Sequence, residues 1–267
     1  MKNVKIFTAS SSATATLECA GHVLISGSYG GEYNAYNAAK LGARAIILND
    51  AGVGIDNAGI NGIDYLDRVN VAAATADAMT CHIADADNML KEGIISHVNS
   101  TARKLGCLPG QTVSECAELM KAAPICTADL PPISGGKRHT PTITQGGRSI
   151  VYIDAAPMLE PEDEGSIVIT GSHAALFRGQ PDNVININVF AIFFSDAGVG
   201  KNNAGILRLA ELDKRGIISA AVSVSSARIG HALEIYNNGI ISHVNKTSIE
   251  IGAKPNMMLK EFVKLLV

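Results

Sequence analysis

The sequence predicts an α/β protein built of two tandem duplicated units with mostly parallel sheets, packed with pseudo-twofold symmetry. Three observations carry this expectation. One pattern occurs twice, as DAGVGIDNAGI from Asp50 to Ile60 and as DAGVGKNNAGI from Asp196 to Ile206. Apolar runs of strand length alternate with helical segments through both copies, as in a parallel sheet clothed by helices. The segment GIISHVN also recurs, and Asp50, Gly59 and His97 meet Asp196, Gly205 and His243 at a constant offset of 146 positions. Gly27 meets Gly171 after 144, which puts a two-residue difference in the first helical segment. A period this long is duplication of a unit of roughly 120 residues, not a solenoid repeat.

Taken in order, Val4–Thr8 and Val23–Ser26 read as strands, and Gly27-Ser28-Tyr29-Gly30-Gly31 as a turn. Glu32–Leu41 reads as a helix with Gly42 at its C-cap, followed by the strand Ala45–Leu48. Val69–Ala74 is the next strand, and Asp85–Glu92 a helix closed by Gly93. Ser96 is expected to cap a helix through Leu105, with Val98, Ala102 and Leu105 on one face. That places His97, and His243 in the second copy, in a first helical turn, where packing is the favoured role. The second copy repeats the pattern with Ile150–Ile153, Ile167–Thr170, Val189–Phe194, Ala220–Val224 and a last helix near Leu259–Leu266. The units are therefore set at 1–122 and 147–267. Residues 123–146 between them, with Pro131-Pro132 and Gly135-Gly136, are a linker by composition.

The bulk properties exclude several classes. Of the 267 residues, 47% are apolar and 18% charged, enough for a large core. A net charge of −3 and the absence of Trp argue against nucleic acid and anionic membranes as partners. No apolar run reaches the ~18–20 residues of a membrane span, and the N-terminal stretch has no continuous apolar core of a signal peptide. Five cysteines, odd in number and without a CxxC, fit reduced thiols in a cytoplasmic protein.

The repeated glycine loops are the most specific chemical feature. The second, SDAGVGKN, resembles a phosphate loop superficially, but Ser195 stands for its first glycine and Asn202 for its hydroxyl residue. A nucleotide-hydrolysing reading is therefore disfavoured. Asp50 and Asp196 stand at strand ends, where open parallel sheets collect functional groups. They and Lys201 are the acid–base candidates, with Asn57 and Asn203 as ligand contacts. The structural alternative has Asp capping the turn and Asn bonding backbone. The Gly27-Ser28 and Gly171-Ser172 pairs match a nucleophile elbow only in part. Ser28 and Ser172 are nucleophiles, ligand donors or helix caps.

Differences between the copies add the remaining candidates. His173 faces Tyr29, Lys201 faces Ile55, and Arg228 faces His82. Gly27, Gly171, His173, Arg228 and His82 complete the expected substrate contacts, Arg228 as a carboxylate or phosphate clamp. Cys81 reads as a small core residue. No metal site and no cofactor are expected, since no ligand spacing puts metal-binding side chains on one helix face. The functional expectation is a metal-independent hydrolase acting on a small anionic or amide-containing metabolite bound at the glycine-rich strand-end loops between the two repeats. An isomerase or lyase, a non-catalytic metabolite-binding module and a structural homo-oligomer are the alternatives.

Overall fold

The computed structural model describes residues 3–133, 135–181 and 185–267. It is an α/β fold of two mixed sheets in which parallel pairings dominate. The first sheet holds β1 (Ile6–Ala9), β2 (Val23–Tyr29), β3 (Ala45–Asn49), β4 (Ala72–Ala76) and β5 (Ile95–Val98), side by side in that order. β1 to β4 are parallel, and β5 runs antiparallel to β4. Helices α1 (Glu32–Lys40) and α2 (Asn61–Asp67) follow β2 and β3. α3 (Ala86–Glu92) follows β4, and α4 (Ser100–Arg103) and α5 (Val113–Met120) follow β5.

The second sheet is ordered β6 (Thr142–Ile143), β7 (Ser149–Ile153), β8 (Ile167–His173), β9 (Ala191–Ser195), β10 (Ile218–Val222) and β11 (Ile241–Val244). β7 to β10 are parallel, and the two edge strands are antiparallel to their neighbours. α6 (Arg208–Lys214), α7 (Ala232–Asn238), α8 (Lys246–Ile251) and α9 (Leu259–Val263) complete the chain.

Strand side chains alternate between two covered faces, which is why the strands are apolar throughout. In the first sheet Val23, Ile25, Ala45 and Ile47 pack with Met89, Val113 and Cys116. Leu24, Ile46, Leu48 and Ala73 pack on the other side with Ala35, Ala38 and Leu66. The second sheet does the same, with Phe193 against Phe262 on one face and Phe194 with Leu209 and Leu212 on the other. A fifth cluster, rich in alanine, joins the sheets through Ala51, Ala58, Ala84, Ala175, Ala197, Ala204 and Val224.

Two local expectations are corrected. Gly27-Ser28-Tyr29 is not a turn but the end of β2, where the ladder to β3 shifts register between Ile25 and Tyr29. The backbones of Ser10 and Ala84 pass so close to Gly27 that a Cβ there would collide with them, which explains the glycine. GIISHVN does not start a helix: Ile95–Val98 and Ile241–Val244 are edge strands, so His97 and His243 lie on strands. Ser96 spends its hydroxyl across the ladder on the Thr75 carbonyl. Asn99 is the better cap: its Oδ1 accepts from Ala102 N while its amide nitrogen donates to the Val71 carbonyl. Asn245 repeats this with Ser248 and Ile217.

Candidate functional site

The glycine loops sit at the centre of the molecule, facing each other. Ala51, Gly52, Val53 and Gly54 all have positive φ, at 48°, 72°, 65° and 70°, and Ala197 to Gly200 repeat this at 49°, 70°, 64° and 70°. L-residues pay for that conformation, so the glycines are placed where they relieve it. The loops hold it by consuming their own amides. Asp50 Oδ1 accepts from Gly52 N at 3.0 Å and Ala78 N at 2.9 Å. Asp196 Oδ1 accepts from Gly198 N at 3.0 Å and Val224 N at 3.1 Å. Gly54 N and Gly200 N donate to the Gly52 and Gly198 carbonyls, each at 2.7 Å. Amides engaged in this way cannot cradle a phosphate.

Around these loops lie most of the polar residues singled out from the sequence. Burial raises the carboxyl pKa of Asp50 against the lowering effect of its amide bonds. Lys201 Nζ pairs with Glu92 at 2.8 Å and donates to the Thr80 carbonyl at 3.1 Å. His82 Nε2 meets Asn202 Nδ2 at 3.1 Å. Arg228 pairs with Glu234 and reaches Asp56 at 3.9 Å. Asn57 and Asn203 are exposed, with φ of 56° and 59°, a region asparagine tolerates better than most residues. Gly171, like Gly27, lies where a Cβ would strike backbone, here at Asp154 and Gly230. Each of these groups has a structural partner or a backbone duty.

The other candidates converge elsewhere. Ser28, Ser172 and His173 line a cleft of about 490 Å³ between the ends of β2 and β8, a size typical of small-molecule sites. Tyr29, Asp154 and Arg208 line it too, with Met158, Leu159, Phe177, Ile185 and Ile187 as apolar wall. Each serine Oγ accepts a backbone amide: Ser28 from Ser12 N at 2.9 Å, Ser172 from Ala156 N at 2.8 Å. Their protons stay available as donors. His173 Nδ1 accepts from Ala175 N at 3.2 Å, which leaves the proton of the neutral ring on Nε2. Burial first, and then the charge of Arg208, lower the pKa of His173 to about 3, so the ring is a neutral donor. Burial pushes the Tyr29 phenol up, helped by Asp154 and Tyr33.

No family model, curated protein or solved structure matches the chain.

Arg208 is the residue the sequence reading missed. It is 4% exposed, and its Nε has no hydrogen-bond partner among the described residues. No carboxylate pairs with it there; its guanidinium lies 5.3 Å from the centre of the Phe194 ring. Burial lowers its pKa to about 10, so it stays cationic at neutral pH. Its place in the fold explains how it fits. Arg208 N donates to the Ala174 carbonyl at 2.8 Å, and Gly62 N, 146 positions earlier, donates to the Gly30 carbonyl at 2.8 Å. At Gly62 a Cβ would come within 2.7 Å of Ala35 on α1. After β8 no α-helix occupies the corresponding place among the described residues; a 3-10 turn at Phe177–Gly179 stands there instead. A glycine facing an arginine on the 146 offset was the available signal.

Proposed function

We propose that this protein binds a small anionic metabolite in the cleft between β2 and β8, with Arg208 as the anion anchor. The observation that carries the reading is a buried guanidinium without an ionic partner among the described residues, lining a cleft. An uncompensated buried charge is costly, and an incoming carboxylate or phosphate supplies the missing partner. The neutral His173 Nε2–H and the hydroxyls of Ser28 and Ser172 add uncharged donors to the same cleft.

Hydrolysis is the reaction class to screen first. In that role the serines and His173 serve as donors to developing oxyanion charge, because His173 Nδ1 is already engaged and does not form a serine–base pair. The reading takes the chain as a duplicated pair of units in which one copy has been specialised by losing a helix, and places it in a reducing cytoplasm on its five free thiols. The test is a thermal-shift titration of wild type and Arg208→Met with acetate, pyruvate, octanoate, sulfate and inorganic phosphate, followed by mass spectrometry of any binder for turnover. Stabilisation of wild type that the variant loses supports the site. Equal shifts in both proteins, or none with any anion, would sink it.

A further inference from the structure

Resting on the anion-site reading, we infer that the ligand of this cleft is a monocarboxylate with an apolar body, not a phosphate ester or an amino acid. Four features of the cleft carry this class.

The first is charge. Arg208 is the one cation among the residues described as lining the cleft, and the imidazole beside it is neutral. One guanidinium balances one negative charge. A phosphate monoester dianion would bring a second charge with no counterpart. The remaining charged side chain is Asp154, which repels a further anionic group.

The second is donor geometry. Phosphate sites on α/β proteins draw on several backbone amides of a glycine turn. Here the amides beside the cleft's polar groups, Ser12 N, Ala156 N and Ala175 N, are already bonded to Ser28 Oγ, Ser172 Oγ and His173 Nδ1. A planar guanidinium instead matches the two oxygens of a carboxylate in a forked pair.

The third concerns an ammonium group. Asp154 is the acceptor an α-amino group would need, but its Oδ1 already takes Ala232 N at 3.0 Å and His139 Nε2 at 3.2 Å, and its Oδ2 takes Lys137 N at 3.0 Å. The fourth is the wall of Met158, Leu159, Phe177, Ile185 and Ile187, which favours a hydrocarbon body over a sugar or polyol.

The experiment is calorimetric titration of wild type, Arg208→Met and Leu159→Asn with octanoate, octyl phosphate, 2-aminooctanoate, acetate and inorganic phosphate. Octanoate is expected to bind at least about tenfold more tightly than the other four. Arg208→Met should cost it about tenfold or more, and Leu159→Asn several-fold. Leu159→Asn keeps the test alive if the arginine variant does not fold. Tighter binding of octyl phosphate or 2-aminooctanoate, lost with Arg208, overturns the monocarboxylate class and leaves the anion site standing. Acetate binding as tightly as octanoate, or Leu159→Asn binding octanoate as wild type does, overturns the apolar body. Failure of every anion to bind overturns the site itself.

Discussion

Arg208 and His173 show what a side chain costs when its surroundings are fixed by tertiary packing. The Arg208 guanidinium, buried without an ionic partner among the described residues, costs more in desolvation than its contact with Phe194 returns. Arg208→Met should therefore raise the melting temperature in anion-free buffer, by an amount equivalent to about 1 kcal/mol or more. Calorimetry or a thermal melt checks this, and a lower melting temperature would mean the charge has a partner in the folded state. His173 works through protons. Its folded-state pKa, about 3, lies below the ordinary value of about 6.5, so the unfolded chain takes up the proton first as pH falls. Stability from this group is complete above about pH 6.5 and is lost as pH falls toward the folded value. His173→Asn keeps an acceptor for Ala175 N, its Oδ1 standing where Nδ1 stood, and removes the titration. Its melting temperature should fall less steeply than that of wild type between about pH 7 and pH 4. His173 was legible in the sequence as a difference between the copies, and Ser28 and Ser172 as part-matches to a nucleophile elbow. Arg208 was not, because an arginine in a polar helix reads as solvated until its neighbours are known.

At the scale of one element, the two glycine loops set the clearest test. Gly52 and Gly198 both lie at positive φ, and a Cβ on either would come within 2.8 Å of the other's Cα. Gly198→Ala therefore meets backbone strain and a backbone collision together. It should lower stability by about 2–4 kcal/mol. Gly216 also has positive φ, at 67°, but nothing within 4 Å of an added Cβ, so Gly216→Ala should cost only about 1 kcal/mol. Urea denaturation of the two variants separates collision from strain, and equal costs would remove the close approach of the loops. The loops were visible in the sequence as glycine-rich strand ends. Their chemistry was not, because an aspartate that caps a turn and one that awaits a ligand look the same until the amides around them are assigned.

For the whole molecule, the alanine-rich cluster and the loop-to-loop contacts tie the sheets into one body. Ile55 N donates to the Val224 carbonyl and Lys201 N to the Ala78 carbonyl, each at 2.8 Å, so each loop bonds the turn that follows a strand of the opposite sheet. Small side chains allow this because backbones pack closely only where little stands between them. Unfolding in urea should follow a single transition, coincident by far-ultraviolet and near-ultraviolet circular dichroism. Two resolved transitions would show that the sheets unfold independently and that the junction contributes little.

The sequence by itself determined the α/β class, most of the strands, and three members of the cleft, since hydrophobic period and glycine placement are local properties of the chain. It misplaced GIISHVN because a run of this length holds too few residues to separate an edge strand from a helix start, and only the antiparallel pairing with the neighbouring strand settles the choice. The tertiary structure decided which polar residues meet. Asp50, Asp196 and Lys201 were drawn into bonds that hold the loops and sheets together. Ser28, Ser172 and His173 came together with Arg208 at one cleft between the ends of β2 and β8. Burial and the loss of a neighbour are properties of the packed molecule, and no window of sequence contains them.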